Sequence, residues 1–155
     1  MLLAEETLKI VIAVISIGFL VYFLVNLYFT NSGAQKVSEA IGSVEKLMGE
    51  VEKVNLDNVE REDHVQNPNG WRVMSFVGEE VKPNSCVGEN CLCICKNVLI
   101  NRGLFEKNRQ AKACDEKGSC GIVENLKKFD KIKIGRDGTF VAIKKLNGLI
   151  EIFKK

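Results

Sequence analysis

Residues 10–25, IVIAVISIGFLVYFLV, contain no charged side chain, and LYF beyond Asn26 carries the apolar run to Phe29. Twenty residues in a helix span roughly 30 Å, the hydrocarbon thickness of a bilayer. Core helices of soluble domains keep a polar stripe, and this stretch has none. The pattern predicts a transmembrane helix at 10–29 behind a short leader at 1–9. A cleaved signal peptide is the alternative, because Ser32-Gly33-Ala34 has small residues where a cleavage site would need them. The leader MLLAEETLK, however, sets Glu5 and Glu6 against Lys9, and the run is long for a signal peptide, so an uncleaved anchor is expected.

Lysine and arginine do not orient this helix: the leader is near neutral, and Lys36 and Lys46 lie among acids. The cysteines do. All six fall between 86 and 120, an even number confined to the region after the apolar run. That usage belongs to oxidising compartments. The expected location is the cell membrane, single-pass, with the leader in the cytoplasm and the C-terminal domain outside.

Beyond the apolar run, Ser32 and Gln35 form a capping-box pattern, so a second helix restarts here or the first continues with a bend at Gly33. Apolar residues then recur at Val37, Ala40, Val44, Leu47, Val51 and Val54, with spacings of three and four that make a heptad seam. Ile41 and Met48 widen the stripe. Such a seam either packs on the chain's own domain or supports a homo-oligomer through the stalk, where tethering to a bilayer raises the effective concentration. The acidic stretch DNVERED, with Glu60, Glu62 and Asp63, reads as a solvated linker, and QNPNG marks a boundary, so 30–66 is assigned to stalk and linker.

The remaining 67–155 reads as a small, mainly antiparallel β domain, making the whole chain α+β. WRVMSFV (71–77) and CLCICKNVLI (91–100) have strand composition, and LFEKNRQAKACDEK (104–117) suggests a short helix. Asp137-Gly138 and Asn147-Gly148 are dipeptides favoured in two-residue hairpin turns. Pairing outward from them sets Ile134 opposite Val141, Ile132 opposite Ile143, Ile143 opposite Ile152 and Lys144 opposite Glu151. One register thus puts Ile132, Ile134, Val141, Ile143, Ile150 and Ile152 on a single face of a three-stranded meander. Lys131, Lys133, Lys144 and Glu151 take the other. Residues 126–155 carry a charge of +6 and residues 34–66 carry −4. The lysines alternate with apolar residues and lack aromatic interleaving, which points to a wet sheet face and away from nucleic acid.

Cys86, Cys91, Cys93, Cys95, Cys114 and Cys120 have the spacing C-x4-C-x-C-x-C-x18-C-x5-C. No C-x2-C pair is present for zinc, iron–sulfur or thioredoxin-type chemistry, and the single histidine, His64, lies far upstream. Disulfides are therefore expected, with no metal and no cofactor. A strand at 91–95 puts Cys91, Cys93 and Cys95 on one face, where residues two apart diverge and do not bridge each other. Each then takes a partner from Cys86, Cys114 and Cys120. Cys86–Cys91 is favoured by proximity, leaving Cys93 and Cys95 for Cys114 and Cys120 in either order. A local Cys114–Cys120 bridge around the DEKGS turn is the competitor.

No glycine-rich phosphate loop, nucleophile elbow or histidine-paired nucleophile occurs, so no catalytic residue is assigned and no enzyme is expected. A thiol- or metal-dependent enzyme is the least favoured class.

The motifs NGWRVMSF, KPNSCVGENCLCIC, RQAKACDEKGSC and NLKKFDKIKI, in that order behind one membrane helix, resemble a group of uncharacterised small archaeal membrane proteins. That resemblance implies an architecture and no activity. In layout the chain is also similar to type IV pilins and pilin-like proteins, with Glu5 just ahead of the apolar run as an acidic residue stands in mature pilins. It departs from them in lacking a basic leader ending in a processing site and in carrying Lys9 at the edge of the run. The expected function is a membrane-anchored extracytoplasmic structural or binding protein. A pilin-like filament subunit is the alternative, and the lipid bilayer is the one partner the sequence names.

Overall fold

The structure, a computed structural model, describes residues 2–98 and 105–155. Met1, Leu99, Ile100 and Leu104, which the leader, strand and helix expectations included, lie outside the described residues. The chain divides into two compact units, 1–35 and 36–155. Helix α1 covers Leu2–Asp57 without a break, so no second helix restarts at Ser32.

In the first unit every described side chain of the apolar run is exposed, from Leu8 through Phe29. Two hydroxyls within that stretch return to the helix itself: Ser16 Oγ donates to the Ile12 carbonyl (2.8 Å) and Thr30 Oγ1 to that of Asn26 (2.9 Å). Polar groups satisfied inside the helix are what a hydrocarbon surrounding requires.

The second unit is α+β, as expected. Its described strands are β1 (Arg61–Val65), β2 (Arg72–Phe76), β3 (Cys91–Cys95), β4 (Gly118–Ile122), β5 (Ile132–Lys133), β6 (Thr139–Leu146) and β7 (Leu149–Lys154), with a 3-10 turn at Asn84–Cys86 and helix α2 at Phe105–Glu116. They build a sheet of order β1-β6-β7 and a second of order β4-β3-β2-β5, antiparallel throughout.

The heptad stripe is the keel of this unit. Ala40, Val44, Leu47, Val51 and Val54 are buried in one cluster with Val73, Leu92 and Ile94 of the second sheet and Val65, Val141, Ile143, Ile150 and Ile152 of the first. Val37 and Met48 pack at its margin. The stripe is thus occupied by the chain's own sheets, and a self-association seam through these residues would have to displace them. Polar contacts hold the register: Lys46 pairs with Asp63, Ser43 Oγ donates to the Asn67 carbonyl (2.8 Å), and Lys145 Nζ to that of Asn55 (3.0 Å). The stalk therefore belongs to the domain, whose boundary falls near residue 36 and not at residue 67.

The expected solvated linker is strand β1. Asp63 is buried, with Oδ1 on Lys46 and on the His64 amide. His64 stacks on its cross-strand neighbour Phe140 (4.4 Å between ring centres) and donates from Nε2 to the Asp137 carbonyl (2.8 Å). Charge in the segment hid the apolar contribution of Val65.

The meander is corrected in its first half. At Asn147-Gly148 both residues have positive φ (51° and 79°) and Leu146 faces Leu149, so the second hairpin has the expected register with Ile143 opposite Ile152 and Lys144 opposite Glu151. At the first turn the bridging pair is Gly135–Gly138, with Arg136-Asp137 at the centre and Gly138 (φ 84°) taking the left-handed position after it. That moves the turn one residue toward the N-terminus, and Thr139 Oγ1 locks the corner, accepting from the Gly135 amide (3.2 Å) and donating to the Lys133 carbonyl (2.9 Å). The chain before the turn leaves the sheet: Ile132 pairs with Val73, and β6 takes β1 instead, with Asp63 opposite Val141 and Arg61 opposite Ile143. All six expected core residues are nonetheless buried in the same cluster, five of them from two sheets where one was foreseen and Ile134 from the chain between β5 and the turn.

If the helix stripe completes the core, a chain of residues 36–155 should melt cooperatively, whereas residues 67–155, the domain as the sequence delimits it, should not. Thermal unfolding followed by far- and near-UV circular dichroism checks this; a cooperative melt of 67–155 would contradict it.

Candidate functional site: the cysteine face of the second sheet

All five residues of β3 are buried because both of its faces are covered. Leu92 and Ile94 point into the cluster under α1. Cys91, Cys93 and Cys95 share the opposite face, as a period of two requires, in a second cluster with Met74, Phe76, Cys86, Ala111 and Cys114. Met74 faces Cys93 across the ladder and Phe76 faces Cys91, so β2 supplies the apolar neighbours.

The partners of these cysteines follow from what β4 sets opposite each one. Cys93 faces Cys120, with Cα atoms 4.1 Å apart, and bonds to it directly. Cys95 faces Gly118, where an added Cβ would lie 2.5 Å from the Cys95 Cβ and 2.7 Å from the Cys114 carbonyl oxygen. The missing side chain lets Cys95 reach Cys114 on α2, with Cα atoms 5.0 Å apart. Cys91 faces Ile122 and bonds instead to Cys86 of the 3-10 turn. Among the described residues no cysteine is free. The expected Cys86–Cys91 bridge is present, and the local Cys114–Cys120 alternative is overturned. The order of the two long bridges was not legible because β4, GSCGI, has no strand composition: two glycines and a serine pair there because of what they leave uncovered. The bridges of separation 19 and 27 each close a loop worth about 3 kcal/mol in the chain-entropy account.

Two of the three bridges form a compact group. The Cys93 Sγ lies 3.8 Å from the Cys91 Sγ and 4.0 Å from the Cys86 Sγ. The sulfurs of Cys86, Cys91, Cys93 and Cys120 all fall within 4.8 Å of one another. The first three of these residues are buried and Cys120 is half-buried. The third bridge stands apart, beside buried Gln110, whose Nε2 is 3.7 Å from the Cys114 Sγ and 3.9 Å from the Cys95 Sγ. Gln110 also donates to the Lys96 carbonyl (3.0 Å) and accepts from the Val98 amide (3.1 Å), tying α2 to the end of β3.

Asp115 clasps α2 to the 3-10 turn, accepting from the amides of Asn84 (2.8 Å) and Ser85 (3.0 Å) and from the Ser85 hydroxyl (3.0 Å). Partial burial alone would raise its carboxyl, but these donors outweigh it and hold the group below the usual aspartate range. Neither Gln110 nor Asp115 was singled out by sequence, since each works through loop backbone that pattern does not reveal.

Two further surfaces bear on function. An open groove of about 970 Å³ runs beside β4, lined by residues including Ile41, Met48, Glu52, Asn55, Cys120 and Ile122. On the basic C-terminal segment, Lys127 and Lys144 pair with Glu151, Lys128 with Glu80, and Lys155 with Glu62. The hydrogen bond from Lys127, then that from Lys144, draws the Glu151 carboxyl below its ordinary range.

Peptide mapping without reduction is expected to return Cys86–Cys91, Cys93–Cys120 and Cys95–Cys114. A peptide pair joined through Cys114 and Cys120 would contradict the facing-residue account. The chain matches no protein-family model, no curated protein and no solved structure, so kinship assigns no role to these residues.

Proposed function

We propose that the chain is a single-pass membrane protein whose 36–155 domain works outside the cytoplasm as a structural or binding module. The observation that carries this reading is the apolar stretch of α1, with a mean hydropathy of 2.6 over its best window and none of that window buried. A helix so composed is unstable in water unless something apolar covers it, and a bilayer fits its length. The three disulfides support an oxidising location for the domain, and with it a cytoplasmic leader.

A second reading is favoured by one observation. α1 passes from the apolar run into the amphipathic stretch with no break, and that stretch is buried against an antiparallel sheet. This layout is similar to that of type IV pilins, in which the same apolar helix serves first as an anchor and then as the core of a filament.

Carbonate washing of membranes from cells making the full chain tests the anchor: the protein should stay in the pellet, and protease added from outside should cleave the domain only after reduction. Release into the aqueous fraction would contradict the proposal. Intact mass separates the two readings, since a shortened amino-terminal end together with sedimentable polymer supports the filament subunit.

A further inference from the structure

We infer that Cys86, Cys91, Cys93 and Cys120 form a second covalent state of the same site: with their two disulfides reduced, four thiolates that hold one zinc ion. Zinc bound by thiolates at about 2.3 Å sets neighbouring sulfurs roughly 3.8 Å apart along the edges of a tetrahedron. Two edges of that figure exist already, 3.8 Å between Cys91 and Cys93 and 4.0 Å between Cys86 and Cys93. No pair among the four sulfurs is separated by more than 4.8 Å.

The surroundings suit a closed, structural metal site. Cys86, Cys91 and Cys93 are buried in one cluster with Met74 and Phe76. Cys120 is the half-buried member of the set, on the edge strand β4. Cys86 sits on a turn followed by Val87 (φ 51°) and Gly88 (φ 82°), so one ligand rides on a loop while three are held by strands. The Cys86-x4-Cys91 interval lies within the usual range for paired zinc ligands. Cys120 arrives only through the β3–β4 ladder, which is why spacing along the chain did not disclose the set.

The chemistry balances as follows. Two equivalents of a dithiol or phosphine reductant deliver four electrons and convert two disulfides to four thiols. Zinc then replaces the four thiol protons. Two equivalents of a small-molecule disulfide reverse the process, each taking two electrons to become two thiols, and zinc is ejected as the protein disulfides re-form.

The test uses full-length protein in detergent micelles, reduced with a phosphine under anaerobic conditions and titrated with Co²⁺ and then Zn²⁺. The expected result is one Co²⁺ per chain with the visible bands of a tetrahedral tetrathiolate, displaced by one equivalent of Zn²⁺. The double variant Cys95→Ser/Cys114→Ser, outside the four-sulfur group, should keep that spectrum, and Cys93→Ser should lose it. The near-UV signal of Trp71 monitors the fold, and its recovery or retention on metal binding supports the site. Absence of the tetrathiolate bands overturns the inference, as does a spectrum that survives Cys93→Ser or vanishes in the double variant while Trp71 reports a folded domain.

Discussion

Between Lys36 and Asp57, helix α1 loses solvent along one side, where Ala40, Val44, Leu47, Val51 and Val54 are buried against two sheets at once. Everything else in the domain is arranged around that contact. The described strands, three in one sheet and four in the other, are too few to bury both faces by themselves, and isolated sheets of this size are marginal in water. Truncating a side chain such as Leu47 removes contacts to both sheets, in the range of about 2–5 kcal/mol for a fully buried leucine. The Lys46–Asp63 pair then fixes where along the helix β1 lies, and breaking it would leave Asp63 charged and buried.

On its far side the second sheet solves a different problem. Among the described residues, the cluster there holds Met74, Phe76 and Ala111 besides cysteines, little apolar mass with which burial alone could fasten α2 and the 3-10 turn. Covalent bridges do it instead, with Cys95–Cys114 holding the helix, Cys86–Cys91 the turn and Cys93–Cys120 the edge strand. Gln110 and Asp115 complete the attachment through backbone groups of the neighbouring segments. One face of the sheet therefore depends on the hydrophobic effect and the other on oxidation state. Oxidation state in turn links the domain's integrity to the compartment it occupies.

Signals of period and composition were legible wherever one physical requirement dominated. The charge-free run at 10–25 is one continuous apolar helix, the three-four spacing from Val37 to Val54 packs on the chain's own sheets, one of the two outcomes it allowed, and the Asn147-Gly148 turn has the expected register. The same-face placement of Cys91, Cys93 and Cys95 followed from strand geometry alone. What escaped were elements whose role is set by partners distant in sequence. REDHV reads as a linker until Lys46 and Phe140 are placed beside it, and GSCGI reads as a loop until Cys95 and Met48 need the space its glycines leave. The slip at Asp137-Gly138 has the same origin: the dipeptide fits two turn forms one residue apart, and the choice between them rests on Thr139 and on His64 reaching the Asp137 carbonyl.

The central claim is that residues 40–54 of α1 are core and not stalk. Amide hydrogen exchange on the full-length protein in micelles addresses it directly, because local opening of a packed helix requires opening what packs on it. The account predicts that amides from Ala40 to Val54 exchange as slowly as those of β3 and β6, and that they lose protection together with the sheets in denaturant. Rapid exchange through 40–54 while β3 and β6 stay protected would contradict it.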